Sequence, residues 1–356
     1  MTSALVEKAG LLSTVQDAGR HRGAHLGISA SGAADALALR LGNLLVGNEE
    51  DAAAIEMTLV GGTFVFDADT EIAVTGADFG CTCAGAALRP WEAITVPAGM
   101  PLEFGPSRSG ARGYLCVRDG IDVTRVLGSA STHLLTGLGG HEGRALRAGD
   151  VLSIGAPNWE APCVPAGARR PAAEESWAGR QGPARVSEGA PPAARRSARL
   201  TLDAGWIRAL YAEGPFRVTP GPQSDWFTPE AMERLVASPY VVLEQSNRMG
   251  IRLSGPALER PAGSELLTEG VSLGAIQVPD SGQPIILFVE HQTTGGYPKI
   301  ANVCSVDMHR VGQLRPRDTV RFELVTFEAA DLLYRERQEA INRLSGRGGS
   351  HTESHL

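Results

Sequence analysis

Short apolar runs, each closed within a few residues by Gly, Pro or Asp, recur through most of this chain, and they leave it little choice but a β fold. In the first half they fall at 64–66, 71–74, 93–96, 101–104, 113–117 and 150–154. Runs of this length with punctuation this close are the mark of adjacent strands in a barrel or sandwich. Composition agrees. Gly makes up 43 of 356 residues, and aromatic residues only 5%. That is about 12% Gly against an average near 7%, as a chain with many tight turns requires. At about 100–200 residues per domain the length favours two domains. With 43% hydrophobic and 21% charged residues, the chain can bury a substantial core.

The expected organisation has four parts. Residues 1–156 form an N-terminal β-rich subdomain interrupted by one helix. Ser31 is placed to cap that helix, Leu37, Leu41, Leu44 and Leu45 give its apolar stripe, and Gly47 or Asn48 ends it. Residues 157–198 are rich in Pro, Ala and Arg with almost no apolar periodicity, and read as a linker or mobile insertion. Residues 199–330 form a second β-rich subdomain, with strands at 199–202, 216–219, 240–243, 275–278, 284–289 and 319–324. Its helix opens at Thr228, followed by the favoured proline at the first helical position. Residues 331–356 give the C-terminal helix, which begins near 328, and a tail. A turn-then-strand pattern echoes at 97–105, 147–155 and 315–323, which ties the two β blocks to a related design.

Charge and motifs exclude several classes of function. The formal net charge is −7 and the isoelectric point near 5.7, so there is no electrostatic footprint for nucleic acid or an anionic membrane. Lys8 and Lys299 are the only lysines. The five cysteines are odd in number and lack zinc spacing, so neither a disulfide framework nor a metal site is expected. His351 and His355 sit four apart in the tail, without a stable helix to hold a metal between them. The first residues lack a signal-peptide pattern and no stretch approaches a membrane span, so a cytoplasmic protein is expected. A phosphate loop, a dinucleotide fingerprint and a nucleophile elbow are all missing.

What remains is a set of polar, turn-rich strings: TVQDAGR at 14–20, SGAAD at 31–35, LVGN at 45–48, TGAD at 75–78, GIDV at 120–123, VLGSAST at 126–132, GPQSD at 221–225, RMGIRL at 248–253, EG at 269–270, GAIQVP at 274–279 and QTTGGYP at 292–298. In this order they resemble the carboxyltransferase subdomain A/B family over about residues 10–325. That family includes KipA-like proteins, the C component of prokaryotic 5-oxoprolinase and the carboxyltransferase part of urea carboxylase, and was formerly named after the second component of allophanate hydrolase. The resemblance implies a mainly β fold of two cyclophilin-like barrel subdomains with a few short helices. It also implies partners, a KipI-like B component and a LamB/YcsF-like A component. The implied activity is ATP-dependent opening of 5-oxoproline to L-glutamate, with ATP bound by this chain or together with a partner. One alternative is a biotin-dependent carboxyl transfer to urea or a related amide. Another is a KipA-type regulator that binds a KipI-like kinase inhibitor.

Opening a lactam at neutral pH requires activation of a poor electrophile, an anchor for a carboxylate and a placed base. Gln292 and Thr293, in a run where Gly295 and Gly296 let backbone approach a ligand, are candidate catalytic residues; the competing reading is a tight connection that needs glycine only for positive φ. Asp78, at a strand end, is a candidate base, or else bonds its own turn. Arg112, Arg248 and Arg252 are candidate anion forks, or surface partners of carboxylates. Gln223, Gln277, Thr294, Tyr297 and Lys299 complete the substrate-binding candidates, although Lys299 also reads as an ordinary surface lysine. Asp225, Glu269 and His291 are secondary. Asp17 and Asp35 read as structural, a turn residue and a first-turn helix acid. Asp78, Arg112, Arg248 and Gln292 are expected to converge between the two β blocks.

Overall fold

A computed structural model describes residues 2–155, 200–259 and 267–345. The expected linker at 157–198 and the tail at 346–356 lie outside them. The first half contains β1 (Ser3–Lys8), β2 (Leu12–Gln16), α1 (Ala36–Leu45), β3 (Ala54–Thr58), β4 (Thr63–Phe66), β5 (Thr70–Asp78), β6 (Thr82–Cys83), β7 (Ala86–Ala87), β8 (Ala93–Val96), β9 (Pro101–Glu103), β10 (Ser109–Val117), β11 (Ile121–Asp122) and β12 (Val151–Ile154). They form two antiparallel sheets, in the orders β11-β12-β1-β4-β9-β6-β7 and β2-β3-β10-β5-β8.

Alternation explains the layers. Ile72 and Val74 of β5 enter the core with Val6, Ile55, Met57, Phe64, Phe66, Leu115 and Val117. Ala73, between them, faces the other way. That outer face carries α1: Leu37, Leu41 and Leu45 pack with Ala73, Tyr114 and Cys116. Ser31 does not cap this helix. Asp35 does, accepting from the Ala38 N–H at 2.9 Å, while Ser31 adopts φ 56° and donates its hydroxyl elsewhere. The expected strands of the first half are all present. Strands β1, β2 and β3 were not expected from the sequence; β1 and β2 mix charged or polar residues into each short run, and β3 carries Glu56 among apolar neighbours.

The second half contains α2 (Ala204–Leu210), β13 (Phe216–Pro220), α3 (Pro229–Ala237), β14 (Tyr240–Val242), β15 (Gly250–Ser254), β16 (Glu269–Gly270), β17 (Ala275–Gln277), β18 (Ile285–Leu287), β19 (Thr294–Gly295), β20 (Lys299–Val303), α4 (Met308–Val311), β21 (Thr319–Val320), β22 (Phe322–Leu324) and α5 (Phe327–Leu344). Its main sheet runs β21-β14-β15-β18-β17-β20-β13-β22. The two edge strands are consecutive in sequence, separated only by Arg321. The sheet therefore curls until its edges meet, as a barrel does. The expected single strand at 319–324 breaks at this residue because the chain passes from one edge to the other. Phe216, Val218, Tyr240, Ile251, Leu253, Ile276, Ile286 and Phe322 fill the interior. Residues 200–202 are not a strand. The chain there leads into α2, capped by Asp203 through a 2.7 Å bond from the Trp206 N–H. Helix α3 starts as expected, with Thr228 accepting from Ala231 N–H.

The sequence echo has a structural basis. In all three copies the fourth residue's N–H bonds the first residue's carbonyl: Met100 to Pro97, Asp150 to Arg147 and Asp318 to Arg315. The third residue has positive φ each time, at Gly99, Gly149 and Arg317. In the latter two copies the aspartate also accepts the first residue's N–H at 2.8 Å.

The halves interlock. Between Ser109 and Gly113 the β10–β5 register shifts, which strands backbone groups. Gln313 from the second half satisfies them: its Oε1 accepts from Ala111 and Arg112 N–H, and its Nε2 donates to Arg112 O and Asp35 Oδ2. Ile207 of α2 and Ile341 of α5 complete the cluster over α1. No helix among the described residues is long and apolar enough to cross a membrane.

Candidate functional site

At the seam between the halves lies a buried ionic cluster. Arg248 precedes β15 and is only 7% exposed. Its Nη1 donates to Glu56 Oε1 at 2.5 Å, its Nε to Glu290 Oε1 at 2.5 Å and its Nη2 to Gly32 O at 2.6 Å. Glu56 Oε2 accepts from Ala34 N–H at 2.8 Å and from the Tyr114 hydroxyl at 2.7 Å. Arg112 Nε lies 4.0 Å from Glu56 Oε1. Two of the expected arginines therefore meet on one carboxylate. Burial pushes the Arg248 guanidinium down, but Glu56 and Glu290 outweigh it and the net shift is upward. Arg112, with less compensation, is lowered by burial. Burial raises Asp35 to about 6, against the bonds from Gln313, Ala38 and Tyr211.

Beside this cluster the first-half loops are tied together. Asp17 accepts from the hydroxyls of Ser129 and Ser131 and from Ala130 N–H, at 2.5–2.6 Å. This joins the TVQDAGR and VLGSAST strings. Buried Arg20 donates to Ser131 O. Ser31 Oγ donates to Thr132 O at 2.9 Å and Glu290 Oε1 at 3.2 Å. Ser29 Oγ donates to His291 O at 2.6 Å, so the loop that carries Gln292 is pinned to the first half. His133 is buried, and desolvation lowers its pKa against the pull of Glu290.

A second cluster lies further along that loop. Gln292 Nε2 donates to Gln277 Oε1 at 3.2 Å. Gln223 Nε2 donates to Glu269 Oε1 at 2.8 Å, and its Oε1 accepts from Lys299 N–H at 3.1 Å. Lys299 Nζ donates to the same Glu269 oxygen, and these bonds hold that carboxyl below its usual range. The surface reading of Lys299 is corrected: its side chain is 3% exposed. Strand β19 pairs Thr294 with Gly270 and Gly295 with Glu269. A Cβ on Gly295 would lie 2.6 Å from Gln277 Nε2 and 3.2 Å from Gln292 Nε2. Glycine is needed here for close approach; Gly295 and Gly296 are not among the positive-φ residues. Thr293 is half-buried, whereas Thr294 and Tyr297 are exposed.

The expected convergence of four residues is thus only partial. Arg112 and Arg248 meet, and Gln292 sits two residues from Glu290. Asp78 stands apart: its Oδ1 accepts from Gly80 N–H at 2.8 Å, in its own turn, and its side chain is 46% exposed. Arg252 points outward from β15, between buried Ile251 and Leu253. Asp225 is exposed in a single 3-10 turn. Glu56, Glu290, Arg20, Ser31 and His133 were missed. A signal existed for two of them, since Glu56 and Glu290 are carboxylates inside or just after apolar runs, where a charge must be paired.

The chain matches the model of the carboxyltransferase domain, subdomain A and B, over residues 26–324. It belongs to that family. It is 36% identical over 342 residues to the C component of 5-oxoprolinase from Escherichia coli, covering 96% of this chain and 97% of that protein. The corresponding protein of Haemophilus influenzae is 34% identical, with 93% and 94% covered. In structure it is similar to the urea amidolyase of K. lactis, with a TM-score of 0.78 and 29% identity, over 96% of this chain but 20% of that one. These family relations agree with the mainly β, barrel-like fold.

Proposed function

We propose that this family member is the C component of an ATP-dependent 5-oxoprolinase. In this reading it opens 5-oxoproline to L-glutamate with a KipI-like B component and a LamB/YcsF-like A component. The observation that carries the reading is mutual, nearly full-length similarity to 5-oxoprolinase C components; urea amidolyase is matched over a fifth of its chain. The reaction attaches the γ-phosphoryl group of ATP to the lactam oxygen and releases ADP. Water adds to the activated carbon, the ring C–N bond breaks as the nitrogen takes a proton, and a second water releases inorganic phosphate.

The glutamine–lysine cluster suits such a substrate. The amides of Gln277 and Gln292 each carry a donor and an acceptor, the complement of a lactam N–H and C=O. Lys299 and Glu269, already paired, offer a cation that a substrate carboxylate could share. Arg248 acts behind them: held on Glu56 and Glu290, it fixes the loop that presents Gln292. Arg112 supports the same carboxylate. Asp78, Thr293, Thr294, Tyr297, Gln223 and Arg252 remain in the proposal as ligand contacts only where substrate or a partner reaches them.

The test is release of glutamate and ADP from 5-oxoproline and ATP, in a mixture with the A and B components. The intact chain should be required, and Gln292→Ala should lower kcat/KM by about tenfold or more. Turnover that is indifferent to this chain would overturn the reading. The urea amidolyase likeness favours a second one, carboxyl transfer from carboxybiotin to an amide. Carboxylation of urea, with no glutamate release, would select it.

A further inference from the structure

Away from that cluster, a cleft of about 630 Å³ opens where the two halves meet. Gly76, Ala77, Ser109 and Gly110 form its floor, at the shifted register of β5 and β10. One wall is the α2–β13 connection through Tyr211 and Phe216; the other runs from Arg310 and Gln313 to Arg321. Its size is that of a small-molecule site.

Hydrogen bonds tie the walls to one another and to the floor. Arg310 donates to Gly214 O and Pro215 O and lies 4.5 Å over the Phe216 ring. Arg321 O accepts from Phe216 N–H, and Gln313 ties the opposite wall to the floor. Three arginines line the cleft, Arg310, Arg315 and Arg321, together with Glu213 and Asp318. Arg310 is committed to its wall. Arg315 has only a 3.7 Å pair with Asp318 and a side chain 40% exposed. Arg321 is exposed, and its guanidinium makes no hydrogen bond or ion pair among the described residues. A preformed cleft that keeps one guanidinium free and another loosely held is suited to a planar or tetrahedral oxyanion, which a guanidinium grips through two parallel bonds.

We propose that this cleft is a second ligand site, which binds a small molecule through a phosphate or carboxylate group on Arg321 and Arg315. It does not depend on the lactam reading, because it shares none of the glutamine–lysine residues.

The test is calorimetric titration of the intact chain with pyrophosphate, inorganic phosphate and malonate at matched ionic strength. At least one should bind saturably at a single site, and which one binds distinguishes a phosphoryl from a carboxylate ligand. Arg321→Gln should weaken it about tenfold, Arg315→Gln should weaken it as well, and Gln292→Ala should leave it unchanged. Circular dichroism would show that the arginine variants fold, as their exposure predicts. The proposal is overturned if none of the three saturates below about 10 mM. It is also overturned if both arginine variants bind like the parent, or if binding disappears with Gln292→Ala.

Discussion

Replacing Arg248 by methionine tests the buried seam most directly. The substitution keeps most of the volume and removes the charge. Breaking a buried pair from one side costs about 3–5 kcal/mol, chiefly because the remaining charge is left unpaired. Here the damage divides unequally. Glu56 keeps Ala34 N–H, the Tyr114 hydroxyl and Arg112 at 4.0 Å. Glu290 keeps only the Ser31 hydroxyl at 3.2 Å as a side-chain hydrogen bond, with the charge of Arg20 and the His133 ring still acting on it. The expected loss at pH 8 is therefore at the lower end, about 3 kcal/mol. The cost falls on the Glu290 carboxylate left without its guanidinium, so removing that charge as well should recover part of the loss. Adding Glu290→Gln to the variant should restore about 1–2 kcal/mol at pH 8. Equilibrium urea unfolding at pH 8 reads these changes as shifts of the midpoint at constant slope. A loss under about 1 kcal/mol at pH 8, or no recovery on adding Glu290→Gln, would refute the view that Arg248 is an ionic keystone.

Asp35, raised from 3.8 to about 6 by burial, weakens the fold as it ionises, by about 2.4 kcal/mol between pH 4 and 7. Asp35→Asn keeps a capping side chain, so its urea stability should lack that decline, and a parallel pH profile would contradict the assignment. Gly295→Ala should leave the melting curve nearly unchanged. It should raise KM in the reconstituted assay about tenfold, because its methyl group must displace the Gln277 amide; an unaltered KM would remove the pair from the site. Arg317 occupies the positive-φ position that Gly99 and Gly149 hold in the echoed turns, so Arg317→Gly should stabilise the chain by about 0.5–1 kcal/mol; a lower thermal midpoint would show that its contact with Glu244 outweighs the strain.

Strands such as β4, β8 and β12 were legible because their evidence is local: a short apolar alternation with a turn residue on each side. The cap at Thr228 and the R-x-x-D turns were legible for the same reason, since each closes within four residues. Strand β3 was not, because Glu56 looks like a break in an apolar run until Arg248, nearly two hundred residues away, arrives to neutralise it. Ser31 looked like a helix cap by its position, but Asp35 sits one turn closer to the apolar stripe and Ser31 is drawn to Thr132 and Glu290. Asp78 looked like a base because strand ends often carry one, yet nothing local distinguishes such a residue from an aspartate bonding its own turn.

The sequence by itself determined a mainly β chain, its turn positions, its family and the loop string around Gln292. The tertiary structure decided which of those polar residues face one another. Sheet closure through Arg321, the clamp of Gln313 on the shifted strands and the sharing of Glu56 by two arginines all join groups far apart along the chain. Burial is what gives those contacts their energy, since a charge removed from water is held only where the fold brings it a partner, and no local pattern records where that partner will be.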